Sequence, residues 1–96
     1  MEPQVAEVLQ KIEALKLRLR EPIDKEMQAG GWREESARAL AESLEELAAK
    51  TKATGELPPI SERPRHMARG LDMWGIHYGG PYDDMVALGD LLGAIP

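Results

Sequence analysis

The chain of 96 residues contains no cysteine, no phenylalanine and no asparagine. Without cysteine there is no disulfide framework, no thiolate-held zinc and no cysteine nucleophile. Aromatic side chains are reduced to Trp32, Trp74, Tyr78 and Tyr82. No apolar run approaches the roughly 18 residues that a membrane span requires. The start, Met1-Glu2-Pro3-Gln4, lacks the basic and apolar regions of a secretory signal, so the expected location is cytoplasmic. Basic residues are also few: 12 against 17 acids, a net charge of -5, which disfavours a general polyanion binder.

Leu, Ile and Val together supply 20 residues, a thin stock for a core. Chains of this size bury a modest fraction of their surface and often complete a core by pairing, so a homodimer is expected.

What remains is arranged for helices. Val5, Val8, Ile12, Leu15 and Leu19 step by 3, 4, 3, 4, which predicts a helix over about 4–20 with one heptad-like apolar seam. Pro3 suits its first turn, and Glu13, Lys16 and Arg18 are assigned to its solvent side. Pro22 interrupts, and a short or kinked helix is expected over 22–28, with Ile23 and Met27 as its apolar pair. Gly30-Gly31 ends it, and Trp32 is expected in the core beside Met27. Ala37, Leu40, Leu44, Leu47 and Thr51 repeat the 3, 4, 3, 4 spacing in a helix over 33–53. Its carboxylates Glu34 and Glu35 lie in the first turn, where the helix dipole favours them. Gly55 is the expected stop.

Glu56-Leu57-Pro58-Pro59-Ile60 reads as a rigid connector. A fourth helix is expected over 61–74, with Met67, Leu71 and Trp74 on one core-facing stripe. The segment Gly75-Ile76-His77-Tyr78-Gly79-Gly80 reads as a loop. A fifth helix follows over 81–92, closed by Gly93 and apolar on more than one side. The expected fold is therefore all-α, a single domain built as a small bundle of four or five helices.

Few constellations point to chemistry. Glycines before a helix can cradle an anion, with His77 and Tyr78 as donors or stacking groups. Yet Gly75–Pro81 matches no phosphate-binding motif, follows no strand and precedes Asp83 and Asp84, which favours a plain connector. His66 and His77 stand eleven residues apart, without the tight spacing of metal ligands, and the serines sit in no nucleophile motif. No catalytic residue, metal ligand or cofactor is assigned.

Arg63, Arg65, His66 and Arg69 form one basic cluster, with Arg65 and Arg69 on one helix face. Such a patch suits an acidic partner or a few phosphates, although three permanent charges fall short of a usual DNA footprint. The carboxylates of Glu34, Glu35, Glu42, Glu45 and Glu46 make the 33–53 helix acidic on its outer side.

By elimination, the expected function is that of a small acidic regulator or inhibitor that acts by protein–protein interaction. The candidate partner-binding residues are Arg65, Arg69, Met73, Trp74, His77, Tyr78, Tyr82 and Met85. Two alternatives are a dimeric transcriptional regulator presenting Arg63, Arg65 and Arg69 to DNA, and a small-molecule or catalytic site at the Gly75–Pro81 loop.

Overall fold

The computed structural model describes residues 2–64 and 67–96, and all of their regular structure is helical. Five α-helices follow one another: α1 (Pro3–Leu19), α2 (Lys25–Ala29), α3 (Glu34–Thr54), α4 (Met67–Met73) and α5 (Tyr82–Ala94). The molecule measures 39 × 22 × 18 Å, the long dimension set by α1 and α3.

The regular stripe of α1 determines the packing. Val5, Val8, Ile12, Leu15 and Leu19 are all buried, and α1 lies against both α3 and α5. Lys16 pairs with Glu45, Glu13 pairs with Lys52, and the start of α1 borders Thr54 and Gly55. Low numbers on α1 thus meet high numbers on α3, so the two helices are antiparallel. At one end Arg18 meets Asp84, and at the other Val5 borders Ile95. Therefore α5 also runs antiparallel to α1, and α1 is the central element.

Helix ends follow local chemistry. Pro22 removes an N–H and crowds the preceding turn, and α1 stops at Leu19. The second helix begins later than the expected 22–28, because its start is set by Asp24, whose Oδ1 accepts from the Met27 N–H at 2.8 Å. At the start of α3, the Ser36 hydroxyl accepts from the Arg33 N–H and donates to the Arg33 carbonyl. Gly55, with φ of 74°, closes α3 by donating to the Thr51 carbonyl at 2.8 Å.

Two helix boundaries differ from expectation in the C-terminal half. Among the described residues, the helix expected over 61–74 is present as α4, Met67–Met73, while Ile60–Glu62 form a 3-10 turn. Pro64 accounts for this: the residue before a proline avoids helical geometry, and Arg63 is extended with φ -84° and ψ 140°. Gly93 does not end α5, which continues to Ala94, because buried Ile95 and its N–H bond to Leu91 carry the last turn onward.

The core is one cluster. Ile12, Leu44, Leu71, Ile76, Met85, Leu88 and Leu92 are almost fully enclosed, and Trp32 is 1% exposed. Trp32 sits in the core as its neighbourhood suggests. Trp74, expected there too, is 52% exposed. It lies just past the end of α4, where Leu71 is buried in the core and Met67 packs partly against it.

Lys16 also departs from its assignment to solvent, since its side chain is largely covered between α1 and α3. Its ammonium is held by Glu45 and lies 3.3 Å from Glu13. The Glu45 hydrogen bond raises the Lys16 pKa above its ordinary 10.5, opposed by burial and assisted by Glu13. Reciprocally, the Lys16 hydrogen bond and charge hold Glu45 below its ordinary 4.5. A lowered carboxylate contributes stability above its unfolded value that disappears as pH falls through the folded one. A raised lysine contributes below its unfolded value and loses that contribution as pH rises through the folded one. Glu45→Gln should therefore lower Tm by a constant amount between about pH 6 and 9, with the difference closing in acid. Thermal melts across pH check this, and a difference unchanged at pH 3 contradicts it.

Candidate interaction surface

The glycine-rich loop is a structural joint. The His77 N–H donates to the Gly30 carbonyl at 2.7 Å, and the Trp32 Nε1–H donates to the Gly79 carbonyl at 2.9 Å. The two turns touch backbone to backbone. A Cβ on Gly30 would stand 1.8 Å from the Tyr78 carbonyl oxygen, and one on Gly31 the same distance from that of Gly75. The Gly30–Gly31 pair thus permits close approach, and the loop's inward backbone groups are used inside the fold. The side chain of His77 turns instead to Asp72, with Nδ1 3.0 Å from Oδ1.

Arg63 belongs to the structure and not to an outward basic face. Only 9% exposed, its Nε donates to the Pro58 carbonyl at 2.8 Å, and its Nη1 donates to the carbonyls of Leu92, at 3.0 Å, and Ile95. The final carbonyls of α5 have no intrahelical partner, and the guanidinium supplies donors and positive charge at that dipole end. This removes Arg63 from the basic patch expected at 63–69. Arg65 and His66 lie outside the described residues, and Arg69 is exposed on α4. Among the described residues, no group of three or more acidic or histidine side chains is placed to hold a metal ion. None of the helices described is long and apolar enough to cross a membrane.

The remaining proposed contact residues separate by depth. Met73 is 81% exposed, and Tyr78, like Trp74, is exposed by about half. Tyr82 is half-buried against the core. Met85 is fully buried, which corrects its assignment as a contact residue: α5 turns it inward among Leu71, Leu88 and their neighbours.

Beside the exposed Trp74 runs an apolar groove of about 330 Å³. Leu40, Ser43 and Leu44 of α3 form one wall, and Met67, Leu71 and Trp74 form the other. Buried Met85 lies at its floor. The groove exists because α1 takes α3 and α5 on separate sides, while α4 packs on α5. A second cleft, about 590 Å³, lies between the α1–α2 linker and α3 and carries both charge signs, including Arg20, Arg38, Glu34 and Glu42.

None of the protein-family models, curated proteins or solved structures compared with the chain matches it.

Sequence reasoning missed the α3 wall. Leu40 has seam spacing, but it is only half-buried, and Ser43 beside it is exposed. Arg63 was missed as a cap; the available signal was its place between Pro59 and Pro64, where a helix cannot form.

Two predictions follow from the joint and the cap. Gly30→Ala should destabilise the chain more than Gly55→Ala, which meets no neighbour and bears only a left-handed backbone penalty of about 1–2 kcal/mol. Equal losses in chemical denaturation would contradict the close backbone packing. Arg63→Ala should cost about 2–3 kcal/mol by leaving carbonyls without a charged donor. Arg63→Lys should recover less than half of that, because an ammonium cannot reproduce the planar fork. Full recovery by lysine in denaturant titration would argue against the multidentate cap.

Proposed function

We propose that the chain is a small acidic regulator or inhibitor that works by binding another protein. The observation that carries this reading is the exposure of Met73 and Trp74 at the edge of the α3–α4 groove. Single exposed apolar residues are ordinary, but large methionine and tryptophan side chains next to an apolar groove are the usual anchors of an interface. Half-exposed Tyr78, four residues beyond Trp74 on the same connection, extends the set. With Arg63 engaged by α5, the reading in which 63, 65 and 69 jointly grip DNA loses one of its three charges.

Self-association, expected from the thin core, belongs to the same proposal. One copy already encloses its own core cluster, so a dimer would form on exposed surface.

The test is a crosslinking pull-down with the full chain from its native cells, read by mass spectrometry, beside light scattering of the purified protein. We expect a protein partner enriched by wild type and reduced about tenfold or more by Met73→Ser/Trp74→Ser. Both positions are exposed enough that melting temperature should change little. Recovery of no protein, or of equal amounts by wild type and variant, would overturn the reading.

A further inference from the structure

We infer that Met73 is a peroxide-reactive modification site, whose oxidation to the sulfoxide reversibly alters the exposed apolar surface beside Trp74. The regulatory consequence rests on the protein-binding reading above, whereas the modification itself rests on the accessibility of sulfur.

The sequence supplies the first condition. With no cysteine in the chain, its sulfur chemistry falls to the thioethers of five methionines. Among the described residues these divide sharply by depth. Met27 and Met85 are buried, Met67 is half-buried at the groove, and Met73 is 81% exposed. Oxidation requires the oxidant to reach sulfur, so the fold directs a limited dose of peroxide to Met73. A thioether lone pair attacks one peroxide oxygen, and the S–O bond forms as the O–O bond breaks. The proton of the transferred oxygen passes to the departing one, which leaves as water or an alcohol. Sulfur gives up two electrons and the peroxide accepts them. Two thiols reverse the step, releasing water and forming a disulfide between them. The exposure that admits peroxide also admits a reductase, whereas a sulfoxide at Met85 would lie out of its reach.

Position supplies the second condition. Met73 is the last residue of α4, a helix held to the core by Leu71 and in part by Met67. The Met73 side chain takes no part in that core, so a sulfoxide there leaves the packing as it is. The surface around it responds differently. Trp74 follows directly and lines the α3–α4 groove with Leu40, Leu44 and Met67. Arg63 also lines the groove, but its guanidinium is engaged by the carbonyls of Pro58, Leu92 and Ile95. Exposed Arg69 stands one turn before Met73, and the Asp72 carboxylate meets His77 at 3.0 Å. The edge formed by Met73 and Trp74 is therefore apolar. A sulfoxide places a dipole and a hydrogen-bond acceptor where the thioether stood, and desolvating it without a donor opposes association.

Hydrogen peroxide is the probe, applied to the full chain and followed by site-resolved mass spectrometry. Met73 should gain an oxygen at least about tenfold faster than Met27 or Met85. The singly oxidised protein should melt at an unchanged temperature yet elute earlier in hydrophobic-interaction chromatography. Methionine sulfoxide reductases with a thiol should restore its retention. Met73→Leu, with no sulfur at the site, should show no peroxide-dependent change in retention. In the crosslinking pull-down, peroxide should lower capture by wild type about tenfold and leave Met73→Leu at its own untreated level. Oxidation of Met27 or Met85 as fast as Met73, or oxygen gained first at Trp74 or Tyr78, would overturn the inference. So would a lowered melting temperature, or a peroxide-dependent loss in Met73→Leu equal to that of wild type. Equal capture by oxidised and untreated wild type would overturn the regulatory role. If untreated wild type captures no protein, the protein-binding reading fails by itself, and the oxidation rates and retention still decide the modification site.

Discussion

The close meeting of two glycine-bearing turns, Gly30–Trp32 and Gly75–Gly79, holds the N-terminal helices to the C-terminal pair. One hydrogen bond passes from each side, His77 N–H to Gly30 and Trp32 indole to Gly79. The indole is buried with its N–H satisfied, as a tryptophan in a core requires. Because the loop is anchored there, α5 starts beside the end of α1, where Asp84 meets Arg18. At the far end of α5, Arg63 gathers the last carbonyls and ties them to the Pro58 connector. A 13-residue helix fastened at both ends has little freedom to slide along α1. The position of α4, carried between these two fastenings, is consequently settled, and with it the width of the groove.

A thin hydrophobic supply explains why polar fastenings matter so much in this chain. Leu, Ile and Val are few, and large aromatic fillers are limited to one buried tryptophan. Core burial scales with apolar area, so hydrogen bonds at the two ends of α5 carry a larger share of uniqueness than they would in a richer core. Lys16 shows the same economy at the α1–α3 contact. Its aliphatic stem is covered while its ammonium reaches the carboxylates of Glu13 and Glu45, so a charged residue completes an apolar seam.

The helical class was legible because strong periodicity survives a single sequence. Val5 to Leu19 could be placed on one face from spacing alone, and Trp32 could be placed in the core from its setting. Boundaries governed by one local feature were less legible: Asp24 determines the start of α2, and Pro64 prevents the helix expected over 61–74 from starting at 61. Trp74 and Met85 were misplaced for a common reason. Helical spacing says which residues share a face, but not which face is covered, and that depends on how α4 and α5 pack. Likewise, the cluster at 63–69 looked basic because charge counts along a chain do not reveal where a guanidinium points.

These considerations bear on function through accessibility. An arginine committed to helix carbonyls cannot also grip a partner, and a loop whose backbone is engaged by another turn is poorly placed to cradle an anion. What both fastenings leave outside is the short helix α4, with Met73 and Trp74 at its exposed end and an apolar wall shared with α3. The surface least used in holding the fold together is thus also the one richest in large apolar side chains. The carboxylates of α3 lie elsewhere: Glu34, Glu42 and Glu45 border the cleft at the α1–α2 linker, where Glu45 is also engaged by Lys16.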